Sequence, residues 1–269
     1  MADWPLWRGS GVQTTVGADV TDSLAVTATG GVGAHAKGAY AELVASAADT
    51  YDGFWLYMTV SVGNQRFFMV YIAVGAAGGE VDIISKLPVA LRGDAMVLYC
   101  PLKIQAGSRI AVAIQSAAGG SQTMECSFVG AVGNGGWPQS YQRATVYGSS
   151  TATSRGTAVT PSTVGNTKGA FASLTTATTN PMRLWYGLTE ETEVATNRQY
   201  LVDFSLGVAG SEVVQLANVL FRNSGNSGSP MVHGPFGSNL SSGQAWACRG
   251  QRSTASTAAA FDAAILAFD

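Results

Sequence analysis

One stretch of this chain is written twice. Asn64 to Val81 reads NQRFFMVYIAVGAAGGEV, and about 132 residues further on Asn197 to Val213 reads NRQYLVDFSLGVAGSEV. Each opens on Asn and a basic or amide pair, then an aromatic residue, and each closes on Gly, small residues, Glu and Val. The apolar residues run continuously or alternate, and no 3.6-residue stripe appears. The segment therefore reads as strand, Gly-rich turn, strand. A repeated β unit of this spacing limits the fold more than any local motif does.

The flanks keep the register. Lys37-Gly38-Ala39-Tyr40-Ala41-Glu42-Leu43 answers to Lys168-Gly169-Ala170-Phe171-Ala172-Ser173-Leu174. Leu91-Arg92 pairs with Phe221-Arg222, and Pro101-Leu102 with Pro235-Phe236. Gly107-Ser108-Arg109-Ile110 pairs with Gly243-Gln244-Ala245-Trp246. Drifting offsets are what loop insertions leave. The expected fold class is all-β: two tandem antiparallel β-sandwich modules of jelly-roll type, made by internal duplication. Eight or nine short strands per module, with turn residues every 8 to 12 positions, support it. An immunoglobulin-like sandwich is the competing architecture, but no Cys…Trp…Cys pattern favours it.

The expected layout is an N-terminal arm at 1–11, module one at 12–133, a linker at 134–141 and module two at 142–269. Strands are expected near 13–16, 23–28, 39–46, 54–62, 66–74, 80–84, 95–104, 108–115 and 122–131. The run 54–62, apolar on both faces before it alternates, belongs at the centre of a sheet. Pro88 and Pro101 are expected at strand ends. The Ala-rich run ending near Ala267 aligns with Met124 to Ala131 and is expected to be strand. Asp3-Trp4-Pro5 and Gly136-Trp137-Pro138 form a repeated lead-in, followed by Thr15-Val16 and Thr145-Val146. Trp4, Trp7 and Trp137 either fold back on their modules or dock on neighbouring subunits.

Charged residues are only 12% of 269, with a formal charge of −2. That leaves no electrostatic footprint for nucleic acid, and so uncharged a surface suits a protein packed against neighbours. Cys100, Cys126 and Cys248 are too few for a disulfide scaffold and lack zinc spacing; buried free thiols are expected, although Cys100 and Cys126 could meet across a sheet. The start at Met1 lacks a basic region followed by an apolar run, so no signal peptide is expected. No stretch has the length of a membrane helix, and no membrane insertion is expected.

Ser224-Gly225-Asn226-Ser227-Gly228-Ser229-Pro230 resembles the nucleophile loop of trypsin-like serine proteases. That resemblance implies Ser227 as nucleophile and backbone N–H groups of Ser227 and Gly225 around the oxyanion. His35, with Asp49, Asp52, Asp82 or Asp94, would complete the set. Yet His35 has none of that family's context, and the repeat sets this loop opposite Gly93-Asp94-Ala95-Met96, a strand connection. A Gly/Ser/Asn string is also what a turn needs. No catalytic residue is therefore expected, and no metal or cofactor. His35 and His233 read as exposed loop residues. Glu190, Glu191 and Glu193 read as a solvated acidic loop, with a hard-cation site as the other reading. Glu80 and Glu212, equivalent and just past the Gly turn, are expected to bond the turn's N–H groups. Arg92-Gly93-Asp94 reads as a turn.

Taken together, the Lys-Gly-Ala-aromatic-Ala strand, the Asn-led strand, the Gly-x-Ala-Gly-x-Glu-Val turn and Pro101-Leu102-Lys103-Ile104-Gln105-Ala106-Gly107-Ser108-Arg109-Ile110-Ala111-Val112 resemble structural proteins of tailed bacteriophages. That resemblance implies a non-enzymatic virion component of a capsid, tail, baseplate or fibre, made in the host cytoplasm, whose partners are other virion proteins and copies of itself. Host attachment is the alternative, with Trp55, Tyr57, Trp185 and Tyr186 stacking on a host-surface glycan. Core packing competes for all four, because they lie inside strand patterns.

Overall fold

The computed structural model describes residues 13–16, 26–60, 66–91, 95–119, 122–132, 141–150, 155–191, 198–223, 231–253 and 260–269. Eighteen strands and no helix lie among them. The first nine are β1 (Gln13–Val16), β2 (Val26–Thr29), β3 (Ala41–Val44), β4 (Gly53–Thr59), β5 (Arg66–Val74), β6 (Val81–Leu91), β7 (Ala95–Cys100), β8 (Ile110–Ser116) and β9 (Thr123–Ala131). The second nine are β10 (Ala144–Tyr147), β11 (Thr157–Val159), β12 (Ala172–Thr175), β13 (Met182–Glu191), β14 (Arg198–Leu206), β15 (Val213–Asn223), β16 (Met231–Leu240), β17 (Trp246–Arg252) and β18 (Phe261–Phe268).

Module one is a jelly roll. Its first sheet runs β2-β9-β4-β7, with β1 also on β9, and its second runs β3-β8-β5-β6. Module two repeats this strand for strand: β11-β18-β13-β16 with β10 on β18, and β12-β17-β14-β15. The register repeats as well. Phe54 faces Cys100 as Trp185 faces Phe236, and Val16 faces Phe128 as Tyr147 faces Ile265. The β5–β6 ladder shifts after Val70 and again after Ile72, and the β14–β15 ladder shifts after Val202 and Phe204. Even the strained backbone recurs: left-handed φ occurs at His35 and Asn166, and at Lys86 and Asn218.

The repeated turn explains the first match in the sequence. Gly75 and Gly207 take φ near 120°, and Gly78 and Gly210 take φ near 80°, a backbone open to Gly but strained for other residues. Glu80 Oε2 then accepts from the Gly78 N–H at 2.9 Å, and Glu212 Oε2 from the Gly210 N–H at 2.9 Å. The two glutamates clamp their turns as their positions suggested.

Several strand limits differ from expectation. Pro88 lies inside β6, opposite Met69, and not at a strand end. β6 has β5 on one side, and among the described residues its other edge is paired only at Ile84 and Ser85. The N–H that Pro88 lacks is therefore not needed for a further ladder. Leu91 matches Asn223 and not Phe221, since Arg66 faces Leu91 where Arg198 faces Asn223. Likewise Val16 matches Tyr147, one residue beyond the expected Val146. In strands rich in similar small residues, sequence identity alone locates a register poorly.

The modules share a sheet. β10 pairs in parallel with β6, Ala144 beside Ile84 and Thr145 beside Ser85. This fuses the second sheet of module one and the first sheet of module two into one nine-stranded sheet. One hydrophobic cluster accordingly joins Phe54, Leu56, Phe128, Leu102 and Ile104 of module one to Tyr186, Leu188, Leu266 and Phe268 of module two. A second cluster, with Trp185, Phe204, Trp246 and Phe261, fills module two itself. Cys100, Cys126 and Cys248 are buried free thiols in these cores.

Candidate functional site

The aromatic residues expected to bind ligand divide into two pairs. Trp185 is 4% exposed and packs on Phe204, Phe236 and Trp246, with ring centroids 4.8–5.8 Å apart. Tyr186 is also 4% exposed; its hydroxyl donates to the Tyr99 carbonyl at 3.1 Å, under the end of module one. Neither offers a free ring face, which corrects their assignment to a ligand surface. β13 is buried on both sides, so alternate residues face the two cores.

Trp55 and Tyr57 lie on the outer face of β4. Tyr57 is 39% exposed, and Trp55 is half-buried with its ring 4.8 Å from that of Tyr99. Val97, 47% exposed, faces Tyr57 across the β4–β7 ladder, and half-buried Val129 faces Trp55 from β9. These residues make a contiguous apolar and aromatic patch. Farther along β9 the same face turns polar at Ser127, Glu125 and Thr123. The duplication gives the patch its meaning, because Trp55, Tyr57 and Val129 occupy the positions of Tyr186, Leu188 and Leu266 in module two. There the equivalent face is buried against module one. The strand that could have disclosed this is β18: all eight of its residues are buried, whereas β9 alternates. Tyr99, Val97 and Val129 were not singled out from sequence, and the unbroken apolar run Ala263 to Phe268 was the available signal.

Module two carries a matching vacancy. A cleft of about 450 Å³ opens beside Trp185, Pro235, Phe236, Ser238, Leu240 and Trp246. The indole N–H of Trp246 is buried without a hydrogen-bond partner. By register, Phe236, Ser238 and Leu240 stand where Cys100, Leu102 and Ile104 stand in module one. In module one that place is packed against the face carrying Tyr186 and Phe268. A smaller cleft, about 190 Å³, lies across β15 and is lined by Gln199, Leu201, Leu220 and Arg252. Gln199 and Leu201 correspond to Phe67 and Met69, which module two covers: the Arg155 guanidinium sits 3.9 Å over the Phe67 ring, and the Ser149 hydroxyl lies 3.3 Å from the Met69 sulfur.

The buried charges are structural in their surroundings. Glu190 is not in a solvated loop: it is buried on β13 and pairs with Arg155 at 2.9 Å, with Asp262 3.6 Å from the same guanidinium. Burial outweighs Arg155 and pushes Glu190 up to about 8 and Asp262 up to about 6. Glu193 lies outside the described residues. His233 is likewise no loop residue; it is buried on β16, its Nε2 2.8 Å from the Thr189 hydroxyl, and burial pushes it down to about 4. Among the described residues no cluster of three His, Cys, Asp or Glu side chains is arranged to hold a metal.

His35 occupies a half-buried turn between β2 and β3. Its N–H donates to the Ser116 carbonyl at 2.8 Å, as that of Asn166 does to Arg252. Its position is thus a repeated turn position. Ser227 and the loop 224–230 lie outside the described residues, between β15 and β16, as 92–94 lie between β6 and β7. Trp4, Trp7 and Trp137 also lie outside the described residues.

The chain is an all-β protein of two tandem jelly-roll sandwiches. No family model matches it, and no curated protein does. Among solved structures it is similar to PNGF-II, at 7% identity and TM-score 0.36, covering 96% of this chain and 65% of that one. It is similar to PNGase F, a glycosylasparaginase from Flavobacterium meningosepticum, at 10% identity and TM-score 0.34, covering 97% and 96%. Tripeptidyl peptidase 2 follows at 9% identity and TM-score 0.29, with 96% of this chain and 23% of that one. Likenesses this distant carry nothing about activity.

Proposed function

We propose that this chain is a non-enzymatic structural protein that works by packing its sheet faces against neighbours, as a component of a tailed-phage virion. One observation carries the assembly reading. The face bearing Trp55, Tyr57, Val97 and Val129 is exposed or half-exposed on module one, while its duplicate on module two is buried in a protein–protein contact within the chain. Apolar surface gathered in one patch marks an interaction site more often than scattered apolar residues do. The low charge of the chain agrees with it. The virion assignment rests on the sequence resemblance, and the recurrence of jelly rolls in viral capsids is an analogy of fold that agrees with it. Particles purified from cells that express the chain test the virion reading. The chain should band with them at a fixed copy number, and recovery only as free protein contradicts it.

A second reading takes the same patch as a glycan platform, because Trp55 and Tyr99 present adjoining rings beside exposed Tyr57. Titration with cell-surface oligosaccharides, followed by indole fluorescence, distinguishes it. Saturable quenching that Trp55→Ala abolishes supports glycan binding; no change up to millimolar sugar rejects it.

A further inference from the structure

The junction between the two modules is a complete interface, and a copy of each of its halves recurs in the chain with exposed apolar residues, Tyr57 and Val97 on one and Val213 and Leu220 on the other. One half is the first sheet of a module: the outer edge of its leading strand and its outer face. In module two these are β10, paired with β6, and the face of Tyr186, Leu188, Leu266 and Phe268. In module one they are β1, paired among the described strands with β9 alone, and the face of Trp55, Tyr57 and Val129.

The other half is the far end of a module, centred on its sixth strand. In module one this is β6, flanked on one side by the packing around Leu102 and Ile104 and on the other by Phe67 and Met69. In module two it is β15, paired among the described strands with β14 alone and exposed or half-exposed from Val213 to Leu220, with Val213 63% and Leu220 58% exposed. The two clefts described above flank β15 on its two sides. They fall at the two places that module two fills on module one. An exposed apolar edge strand is a template for strand addition.

We infer that the chain associates head to tail with a second copy of itself, module one of one copy seating on module two of the next as module two seats on module one within the chain. The inference rests on the assembly reading and supplies its partner. By register, Gln13 and Thr14 of one copy lie parallel beside Leu216 and Ala217 of the other, as Ala144 and Thr145 lie beside Ile84 and Ser85. Trp55 and Tyr57 enter the cleft of Phe236, Leu240 and Trp246. By register, Ser127 and Glu125 replace buried Ala264 and Asp262. The contact between copies is therefore wetter than the one within the chain, as befits an interface formed after folding. Such a contact is heterologous: it closes into a ring or continues as a filament.

Sedimentation velocity on the full chain and two surface variants tests this. The variants are Tyr57→Lys on one half and Leu220→Lys on the other, both at exposed positions, with circular dichroism confirming unchanged folding. The wild type should grow with concentration in steps of 27.7 kDa. Each variant alone should remain monomeric. Mixed in equal amounts they should form a dimer and nothing larger, because one intact half remains on each. A wild type that stays monomeric at several hundred micromolar overturns self-association, while the assembly reading with other partners survives. Growth stopped by Tyr57→Lys but untouched by Leu220→Lys means a symmetric face-to-face dimer and overturns the head-to-tail contact. Growth untouched by Tyr57→Lys overturns both the contact and the patch as an assembly surface.

Discussion

Asp203 keeps its negative charge although only 3% of it is exposed. Burial alone would raise it, but Lys168 at 2.8 Å, the Asn218 N–H at 2.8 Å and Arg249 at 2.9 Å hold it below the usual carboxylate range. Its stabilisation is therefore present above the ordinary carboxylate pKa and is lost as pH falls. Asp203→Asn strands two cations and should cost about 3 kcal/mol in urea unfolding; a loss under 0.5 kcal/mol would argue that the three groups are solvated. Glu190 works in the opposite sense. One arginine serves both Glu190 and Asp262, so the folded state holds protons that the unfolded chain has released. A raised carboxyl contributes stability below its ordinary 4.5, and that contribution is lost as pH rises toward about 8. The melting temperature should fall over that range, at roughly 2–4 °C per kcal/mol. Glu190→Gln should flatten the profile; an unchanged slope would place the titrating group elsewhere.

At the scale of elements, the irregularities of a strand are duplicated as faithfully as its regular parts. β6 and β15 each carry one left-handed residue inside the shifted ladder, Lys86 at φ 60° and Asn218 at φ 55°. Asn tolerates this region and Lys does so at a cost. Lys86 is exposed, so Lys86→Gly removes strain without removing packing and should stabilise by about 0.5–1 kcal/mol; destabilisation would mean the lysine makes a contact that offsets the strain. These elements also mark how far the sequence can be read. The Gly-turn-Glu unit was legible because glycine at positive φ and a carboxylate two residues beyond are chemically specific. The pairing of Pro101-Leu102 with Pro235-Phe236 misled, in part because β16 bulges at Gly234 and Pro235 and takes up one extra residue between the partners of Trp185 and Gly187, so that Phe236 answers to Cys100. Trp55 and Tyr57 lie on a half-open face, while Trp185 and Tyr186 are buried: each pair lies in an apolar strand, and only the neighbouring β18, apolar without a break from Ala263 to Phe268, tells a two-sided strand from a one-sided one.

For the whole molecule, the fused nine-stranded sheet and the shared core predict joint behaviour of the modules. Residues 142–269 produced alone would expose Tyr186, Leu188, Leu266 and Phe268, and should aggregate or unfold well below the full chain; a soluble fragment of equal stability would contradict the shared core. The residues proposed to meet between copies, Trp55, Tyr57, Phe236, Leu240 and Trp246, are uncharged and Glu125 is the charge set beside them, so association should change little between low and high salt. A strong salt dependence would point to a different surface. Hydrogen exchange read against protein concentration tests the central claim most directly. Peptides covering Ile84–Ser85 should be protected at every concentration, and those covering Gln13–Val16 and Val213–Leu220 should become protected together as the mass rises. Protection that never appears on β1 and β15, or that appears on one without the other, would contradict a junction used a second time between copies.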